Sequence, residues 1–317
     1  MGETSIVVND FMRDKRRFAD AFNGFCFGGE RVIKPEDLEE GSEQYAQETK
    51  GGDGAEVTER FRDVKMCLKS GGMLRILAIE NQSYVDYTMP FRCMEYDCLE
   101  YGRQLRELKA ENKHCKRLKE PAEVLSGILR TDRLIPMLTI CIYHGEEVWN
   151  GPRTLGEMMD FGEGTEGLRD LFSEYSMRLF CINEYDDFDM FCTELREVFA
   201  VLNYRSDKLG MLKLMEENEA YHHLDRESVR TLSVLLKNPR IWEEREKYMS
   251  KNEDKEEFDM CLALRELEED ARAEGFALAS QIFVTIQKNH TMPDEIIADK
   301  CHCTVAEVQA IRKVIEV

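Results

Sequence analysis

The chain has 317 residues, a formal net charge of −20, 43% hydrophobic and 33% charged residues, which describes a globular protein with room for two domains. No stretch reaches the ~18 consecutive apolar residues of a membrane helix, and the first residues lack the apolar core of a signal peptide. We therefore expect no membrane partner, and the irregular spacing of the cysteines favours reduced thiols in a cytoplasm. The acidic balance opposes non-specific attraction to a polyanion, so a nucleic-acid ligand would need a basic patch or metal ions.

The N-terminal part of the chain predicts a helix, a short extended segment and a loop. Phenylalanines at near-helical spacing predict the helix over residues 9–27, and Gly28-Gly29 ends it. Arg31–Ile33 predicts a short extended segment, and the polar, glycine-rich stretch 35–58 predicts a mobile loop.

The next segment predicts a β-hairpin. Its two runs with strand character flank Gly71-Gly72, a pair that can adopt the positive φ angles of a two-residue primed turn. With these glycines as the loop, Asp63 lies directly across from Glu80, and Gln82 points to the same side as Glu80. The two predicted strands are Arg60–Leu68 and Met73–Glu80.

Two facing carboxylates suggest a metal site at the end of this hairpin. Like charges directly opposite each other destabilise a strand pair by a few tenths to ~1 kcal/mol, which a bound cation would relieve. Hard oxygen ligands point to Mg²⁺ or a similar ion. The alternative is that Glu80 marks the exit of the strand and Asp63 caps an edge.

The hairpin leads into a helix and a buried strand. Met89–Asn112 predicts a long helix with Pro90 in its first turn, and Leu134–Tyr143 predicts an apolar strand covered on both faces. With the helix as a right-handed crossover, this strand lies parallel to the second hairpin strand, in a mixed sheet of about four strands with helices on its faces.

The rest of the chain is predicted to be mostly helical. Met177–Ile182 predicts an edge strand, and a helix follows it. We expect one domain over residues 1–205 and an all-helical C-terminal region over 206–317. The helices expected there are Asp207–Glu217, Arg226–Leu236, Ile241–Tyr248, Glu256–Lys288 and a final pair within Met292–Val317.

Ordered motifs in the first part of the chain resemble a known family. An Asp, a turn and then Glu-x-Gln resembles the PD-(D/E)xK nuclease motif, with Gln82 where Lys is usual. More specifically, the chain resembles the recombination-promoting nucleases, also called YhgA-like putative transposases of bacteria. The matching segments are Phe18-Ala19-Asp20 with Asn23, Gly29–Ile33, Glu59-Arg60, Arg62–Val64, Ile79–Ser83, Asp86, Met89–Arg92, Tyr96-Asp97, Ile142–Gly145, Trp149 and Pro152-Arg153.

The resemblance implies a restriction-endonuclease-like α/β core, ordered as helix, short strand, hairpin, helix and parallel strand, and metal-dependent cleavage of DNA linked to recombination. On this basis Asp63 and Glu80 would ligate Mg²⁺ or Mn²⁺, with the carbonyl of Asn81 as a further ligand. Gln82 would orient a water or contact phosphate, since an amide carries no charge. Asp20 on the first helix would join the metal site, or else is a solvent-facing helix acid.

Further residues are candidates for substrate contact. Arg92 and Tyr96 face either the active edge of the sheet or solvent on an exposed helix face. His144 ends the parallel strand, where ligands gather in α/β sheets, although a structural histidine is the alternative. The C-terminal helix pair has helix-turn-helix proportions but few basic side chains, which favours packing or homo-oligomerisation over base readout.

Two functions therefore remain open. The first is a Mg²⁺-dependent DNA endonuclease. The second is a non-catalytic relative with the same fold that serves as a nucleic-acid or protein interaction module. Gln82 and the acidic balance favour the module, whereas Asp20, Asp63 and Glu80 favour the enzyme.

Overall fold

A computed structural model describes residues 3–41, 44–51, 54–61, 63–70, 73–162, 164, 166–252 and 255–315. The chain forms two compact units. The first consists of the chain up to Met211 together with Arg226–Asn238, and the second consists of Leu212–Asp225 together with the chain from Pro239.

The first unit is a mixed α/β structure built on a five-stranded sheet with the strand order β1-β4-β5-β6-β7. Strands β2 and β3 form a separate antiparallel pair, as do β8 and β9 in the second unit. The strands are β1 (Leu38–Glu40), β2 (Gln44–Gly51), β3 (Gly54–Phe61), β4 (Val64–Ser70), β5 (Met73–Gln82), β6 (Met137–Tyr143), β7 (Arg178–Cys181), β8 (Met249–Asn252) and β9 (Lys255–Phe258).

Helices occupy most of the remaining chain, and none of those described is both long and apolar enough to cross a membrane. The α-helices are α1 (Glu3–Met12), α2 (Lys15–Phe27), α3 (Met89–His114), α4 (Pro121–Ser126), α5 (Glu166–Arg169), α6 (Leu195–Leu202), α7 (Lys208–Glu217), α8 (Arg226–Leu235), α9 (Pro239–Glu243), α10 (Met260–Lys288), α11 (Asp294–Cys301) and α12 (Val305–Ile315). Single 3-10 turns lie at Pro35–Asp37, Gly156–Met158, Ile182–Glu184, Glu219–His222 and Arg245–Lys247.

The hairpin of β4 and β5 has the predicted register. Ser70 pairs with Met73 at one end of the ladder and Val64 pairs with Ile79 at the other. The predicted Gly71-Gly72 turn lies outside the described residues. One face of the hairpin is apolar and buried, as the alternation predicts, since a one-residue slip would move these side chains to the other face. The buried residues are Val64, Met66, Leu68, Leu77 and Ile79.

The connection from β5 to β6 brings two parallel strands together, as predicted. Helix α3 forms this connection, and β6 pairs with β5 so that Gln82 lies opposite Tyr143. Strand β7 lies at the edge of the sheet and pairs in parallel with β6, with Cys181 opposite Tyr143. Because β5, β6 and β7 end on the same side of the sheet, the residues that follow them gather at one edge.

Several predictions for the N-terminal part were wrong. The helix expected over 9–27 is two helices, because Asp14 caps α2 by accepting hydrogen bonds from the backbone N–H groups of Arg16 and Arg17. Gly28 ends α2 as expected, in the left-handed region with φ 61°. Arg31–Ile33 forms no strand. The predicted loop over 35–58 contains β1, β2 and part of β3, and Arg60 belongs to β3 instead of the hairpin.

The C-terminal part is not all helical, which corrects the prediction for 206–317. The hairpin of β8 and β9 interrupts the helices, and the helix expected from Glu256 begins only at Met260. Helix α10 is buried near both ends, at Leu267 and Ile282 for example, whereas every residue from 271 to 277 is exposed. The C-terminal half of α10 packs with α11 and α12 around a small apolar cluster that includes Ile282, Ile297 and Val308.

Candidate functional site

The end of the β4–β5 hairpin places two acidic residues next to each other in the fold. The last ladder pair is Val64 with Ile79, so Asp63 immediately precedes one partner and Glu80 immediately follows the other. Both side chains are buried, Asp63 with 9% and Glu80 with 1% of their surface exposed. A carboxylate is costly to bury without compensating interactions, so the surroundings of both groups matter.

Asp63 is held in place by two asparagines. Its Oδ1 accepts a hydrogen bond from Asn9 Nδ2 at 3.1 Å, and its Oδ2 accepts one from the backbone N–H of Asn81 at 2.7 Å. Asn81 Nδ2 in turn donates to Asn9 Oδ1 at 2.9 Å, so Asn9, Asp63 and Asn81 form a closed ring of hydrogen bonds. Asp63 therefore satisfies the backbone N–H just beyond the end of the ladder, and its orientation is fixed from helix α1 and strand β5 together.

Asn9 was not predicted from the sequence as a site residue. It lies on α1 and is 2% exposed, among the buried apolar residues Val7, Val8 and Phe11. A single amide on an otherwise apolar helix face was the available signal, because a buried amide needs hydrogen-bond partners.

The charge of Glu80 acts on two side chains of α3. The pKa of Tyr96 is raised by burial and, beyond that, by the negative charges of Glu80 and Asp63. Burial opposes the charge of Arg92, but its hydrogen bonds to Asp86 and Tyr96 and the charge of Glu80 raise the pKa of Arg92 overall. Arg92 Nη1 lies 2.7 Å from Asp86 Oδ2. The negative charges of Asp63 and Glu80 therefore both act on the same phenol.

Asp20, the fourth residue predicted for the metal site, has other partners. Its Oδ2 accepts hydrogen bonds from the backbone N–H groups of Cys192 at 2.9 Å and Thr193 at 2.8 Å, and from the Thr193 hydroxyl at 2.6 Å. These contacts connect α2 to the turn before α6 and favour a structural role for Asp20. The N-terminal residue that contacts Asp63 is Asn9.

Gln82 and His144 are neighbours across the parallel strands. The backbone N–H of His144 donates to the carbonyl of Gln82 at 2.9 Å, and the Gln82 side chain is half-buried. His144 is 7% exposed, and burial together with the charge of Arg205 lowers its pKa to about 4. His144 is therefore neutral near pH 7, which suits a structural side chain.

A buried ion pair lies on the same face of β4 as Asp63. Lys65 is 4% exposed, and its Nζ lies 2.8 Å from Oε2 of the fully buried Glu100 on α3. Arg103 and Gln104 also bond to Glu100, at 2.6 Å and 3.1 Å. Burial alone would raise the pKa of Glu100, but Arg103, Lys65 and Gln104 lower it to about 2. No local sequence pattern predicts this pairing, because the two residues are 35 positions apart in the chain.

The residues at the hairpin end fit a magnesium ion. Within the residues that the structure describes, no three His, Cys, Asp or Glu side chains are grouped to hold a metal. Two carboxylates, Asp63 and Glu80, are present, and Asn81 adds a backbone carbonyl. Mg²⁺ usually keeps several waters and binds through one or two protein carboxylates together with substrate phosphates, so this donor set is sufficient for it.

Comparison with known proteins gives the family. The model of the family described as putative transposase, YhgA-like, matches residues 57–226, which is more than half of the 317 residues. The chain belongs to this family. The YhgA-like match includes the β4–β5 hairpin with Asp63 and Glu80, helix α3, and strands β6 and β7. No curated protein and no solved structure matches the chain.

Proposed function

We propose that this protein is a Mg²⁺-dependent DNA endonuclease with a PD-(D/E)xK-type core. The observation that carries the proposal is the pair of buried carboxylates, Asp63 and Glu80, at one end of a hairpin and acting on the same phenol, Tyr96. Membership of a family described as putative transposase supports it, because moving a DNA segment requires phosphodiester bonds to be broken.

The arrangement of elements is compatible with this core. Helix α2 is followed by the short strand β1, the β4–β5 hairpin, helix α3 and the parallel strand β6, which is the order that the resemblance implies, with the β2–β3 pair as an insertion after β1. The acidic residues then lie where the carboxyl end of β5 meets that of β6, an edge at which ligands commonly bind in α/β sheets.

In this proposal Asp63, Glu80 and the Asn81 carbonyl hold the ion. Mg²⁺ bound there would lower the pKa of a bound water and offset charge on the phosphate. The hydrogen bonds from Asn9 and the Asn81 N–H fix the Asp63 carboxylate before any ion arrives. An ionised carboxylate accepts about four hydrogen bonds, so these two bonds do not by themselves prevent Asp63 from binding an ion.

Two further side chains serve the substrate. Arg92, half-buried and paired with Asp86 through Nη1, would turn its other N–H groups to the scissile phosphate in a chain of net charge −20. Gln82 follows Glu80 on the same face of β5, where its amide orients a water or donates to a phosphate oxygen. Neither Asp20 nor His144 has a chemical role in this proposal.

The test is a cleavage and metal-binding assay on the full chain. Purified protein is incubated with supercoiled and linear DNA in Mg²⁺, Mn²⁺ or a chelator, and Mn²⁺ binding is measured separately by electron paramagnetic resonance. Asp63→Asn and Glu80→Gln keep the shape of each side chain and remove its charge. We expect both variants to lose cleavage and to bind Mn²⁺ more weakly.

Glu111→Gln is the matched control, because Glu111 is a half-exposed acid on the surface of α3, paired with Arg117. It should cleave DNA and bind Mn²⁺ like the wild type. Cleavage that persists in chelator, or that survives both Asp63→Asn and Glu80→Gln in folded protein, would contradict the proposal.

A second candidate is an interaction module that binds DNA or protein without cleaving it. The specific observation in its favour is Gln82, because an amide cannot supply the positive charge that the usual lysine brings. DNA binding without cleavage in any metal would identify this function. The variant Gln82→Lys then provides a direct comparison, since it should create or increase cleavage only if the remaining groups are in place.

A further inference from the structure

A cavity of about 420 Å³ opens at the edge of the sheet where β6 and β7 end. Its walls come from the segments that follow β6, β7 and α6. The volume falls within the range of small-molecule sites, and the position is the one that ligands prefer in α/β sheets. The lining residues used below are Glu146, Asp186, Tyr204, Arg205 and Ser206.

Arg205 is the distinctive residue of this cavity. Its Nη1 donates to the backbone carbonyl of His144 at 2.6 Å, and its Nε is enclosed by protein with no hydrogen-bond partner in the described part of the chain. None of the described carboxylates forms a salt bridge with Arg205, although acids outnumber basic residues in the chain by 63 to 43. A guanidinium has five N–H donors, so the bond to His144 and the enclosed Nε leave three N–H groups for an anion.

The acids around the cavity leave room for an anion. Lys237 Nζ lies 2.8 Å from Glu146 Oε1, and this contact lowers the pKa of Glu146, so each charge offsets the other. Asp186 is exposed, where water screens it. Arg205 also lowers the pKa of Glu146, so the two charges act on each other, but no described carboxylate lies within salt-bridge distance of Arg205.

The cavity also has an aromatic wall and a connection to the candidate metal site. Tyr204, half-buried, borders the cavity directly before Arg205. His144 accepts the hydrogen bond from Arg205 through its carbonyl and donates one to the Gln82 carbonyl through its N–H. One residue thus separates the cavity from the strand that carries Glu80 and Gln82.

We propose that this cavity binds the phosphate of a nucleotide, with Arg205 as its charged donor and Tyr204 as a surface for the sugar or base. Arginine matches phosphate geometry and aromatic rings stack on bases, which together select a nucleotide over an apolar ligand. The volume exceeds what a phosphate group alone requires. The nucleotide is a free mononucleotide or the end of a DNA strand, and the second source rests on the proposed nuclease function.

The experiment measures binding to the full chain in chelator, so that the candidate metal site does not contribute. The probes are deoxyadenosine monophosphate, deoxyadenosine, inorganic phosphate, and a short single-stranded oligonucleotide with either a 5′-phosphate or a 5′-hydroxyl. We expect the monophosphate to bind about tenfold or more tightly than the nucleoside, because a charge-assisted hydrogen bond is lost without the phosphate. Inorganic phosphate should compete with it.

Variants locate the site. Arg205→Gln should weaken binding of the monophosphate about tenfold or more, whereas Arg205→Lys keeps the charge and should retain part of the affinity. Ser206→Glu adds a carboxylate to the exposed rim without removing a structural contact, so it should weaken binding even if Arg205→Gln unfolds. The matched controls are Arg196→Gln, whose side chain pairs with Glu197, and Ser173→Glu, at an exposed serine outside the cavity.

The outcomes separate cleanly. Equal binding of nucleoside and monophosphate, no binding of any probe by the wild type, or wild-type affinity in Ser206→Glu would overturn the proposal. A preference for the 5′-phosphorylated oligonucleotide over the mononucleotide supports the cavity and identifies a DNA end as the source. Nucleotide binding that persists in Asp63→Asn protein, whether or not the wild type cleaves DNA, keeps this site independent of the nuclease proposal.

Discussion

The buried Lys65–Glu100 pair gives a sharp test of how the sheet and α3 are held together. The perturbation is Lys65→Met, which keeps an unbranched side chain one atom shorter and removes its charge. Removing one partner of a buried ion pair typically costs ~3–5 kcal/mol, because the other charge is left in a poorly solvated site. Arg103 and Gln104 still bond to Glu100, so the loss belongs at the lower end, about 3 kcal/mol.

The pKa of Glu100 reports the combined effect of its partners, because Arg103, Lys65 and Gln104 lower it together. Its value is about 2 in the folded protein and 4.5 for the unperturbed group, and this difference corresponds to about 3 kcal/mol of net stabilisation of the charged form. Glu100 is 0% exposed, so solvent screening does not reduce this figure.

The assay is urea denaturation near pH 7, followed by circular dichroism and by tryptophan fluorescence. Lys69→Met is the matched control, because Lys69 lies on the same strand and the same face but pairs with Glu39 at a surface where both side chains are 58% exposed. It should cost less than about 1 kcal/mol. The double variant Lys65→Met/Glu100→Leu should be more stable than Lys65→Met alone. A loss below about 1 kcal/mol in Lys65→Met, equal to that of Lys69→Met, would refute the reasoning.

Three further predictions concern the same unit. Because the pKa of Glu100 is lowered in the folded protein, its charged form contributes fully to stability above pH 4.5, and this contribution is lost as the pH falls towards about 2. Urea denaturation across this pH window should therefore show a steeper loss of unfolding free energy in the wild type than in Glu100→Gln. Asn9→Ala removes one hydrogen bond from Asp63 and should lower the free energy of unfolding by about 1–3 kcal/mol and weaken Mn²⁺ binding, whereas unchanged metal affinity would separate Asn9 from the site. Asp20→Asn should also lower the free energy of unfolding by about 1–3 kcal/mol, because it disturbs the hydrogen bonds from Cys192 and Thr193, but it should leave Mn²⁺ affinity unchanged. A large loss of Mn²⁺ affinity in this variant would identify Asp20 as a metal ligand.

The hairpin register was predictable because two independent signals agreed. The glycine pair allowed a two-residue turn, and the alternation of Val64, Met66 and Leu68 placed these apolar side chains on one face. The long helix α3 and the parallel strand β6 were predictable for similar reasons, since each has a long and uninterrupted pattern.

Other elements depend on contacts that a local pattern does not contain. The break at Asp14 was missed because the phenylalanine spacing runs on through α2, and the cap appears only as bonds to Arg16 and Arg17. The loop predicted over 35–58 contains β2 and part of β3, because polar, glycine-rich segments resemble loops when their pairing is unknown. The hairpin of β8 and β9 was missed because each strand has only four residues.

The candidate site was predictable only in part. The positions of Asp63 and Glu80 follow from the register of one hairpin, which is local information. The bonds of Asn9 to Asp63 and of Lys65 to Glu100 join residues 54 and 35 positions apart, and they form only when α1 and α3 lie against the sheet. The same limit explains Asp20, whose partners Cys192 and Thr193 are more than 170 positions away.

The exposed middle of α10 has a consequence for the second unit. Residues 271–277 are all exposed, and Gly275 lies among them, where glycine costs ~1 kcal/mol relative to alanine. Stability there comes from local pairs such as Arg272 with Glu268 and from Arg240, which reaches Asp270. Amide hydrogens in this turn should exchange with solvent faster than those near Leu267 or Ile282, so the helix opens from its centre while both of its ends stay closed.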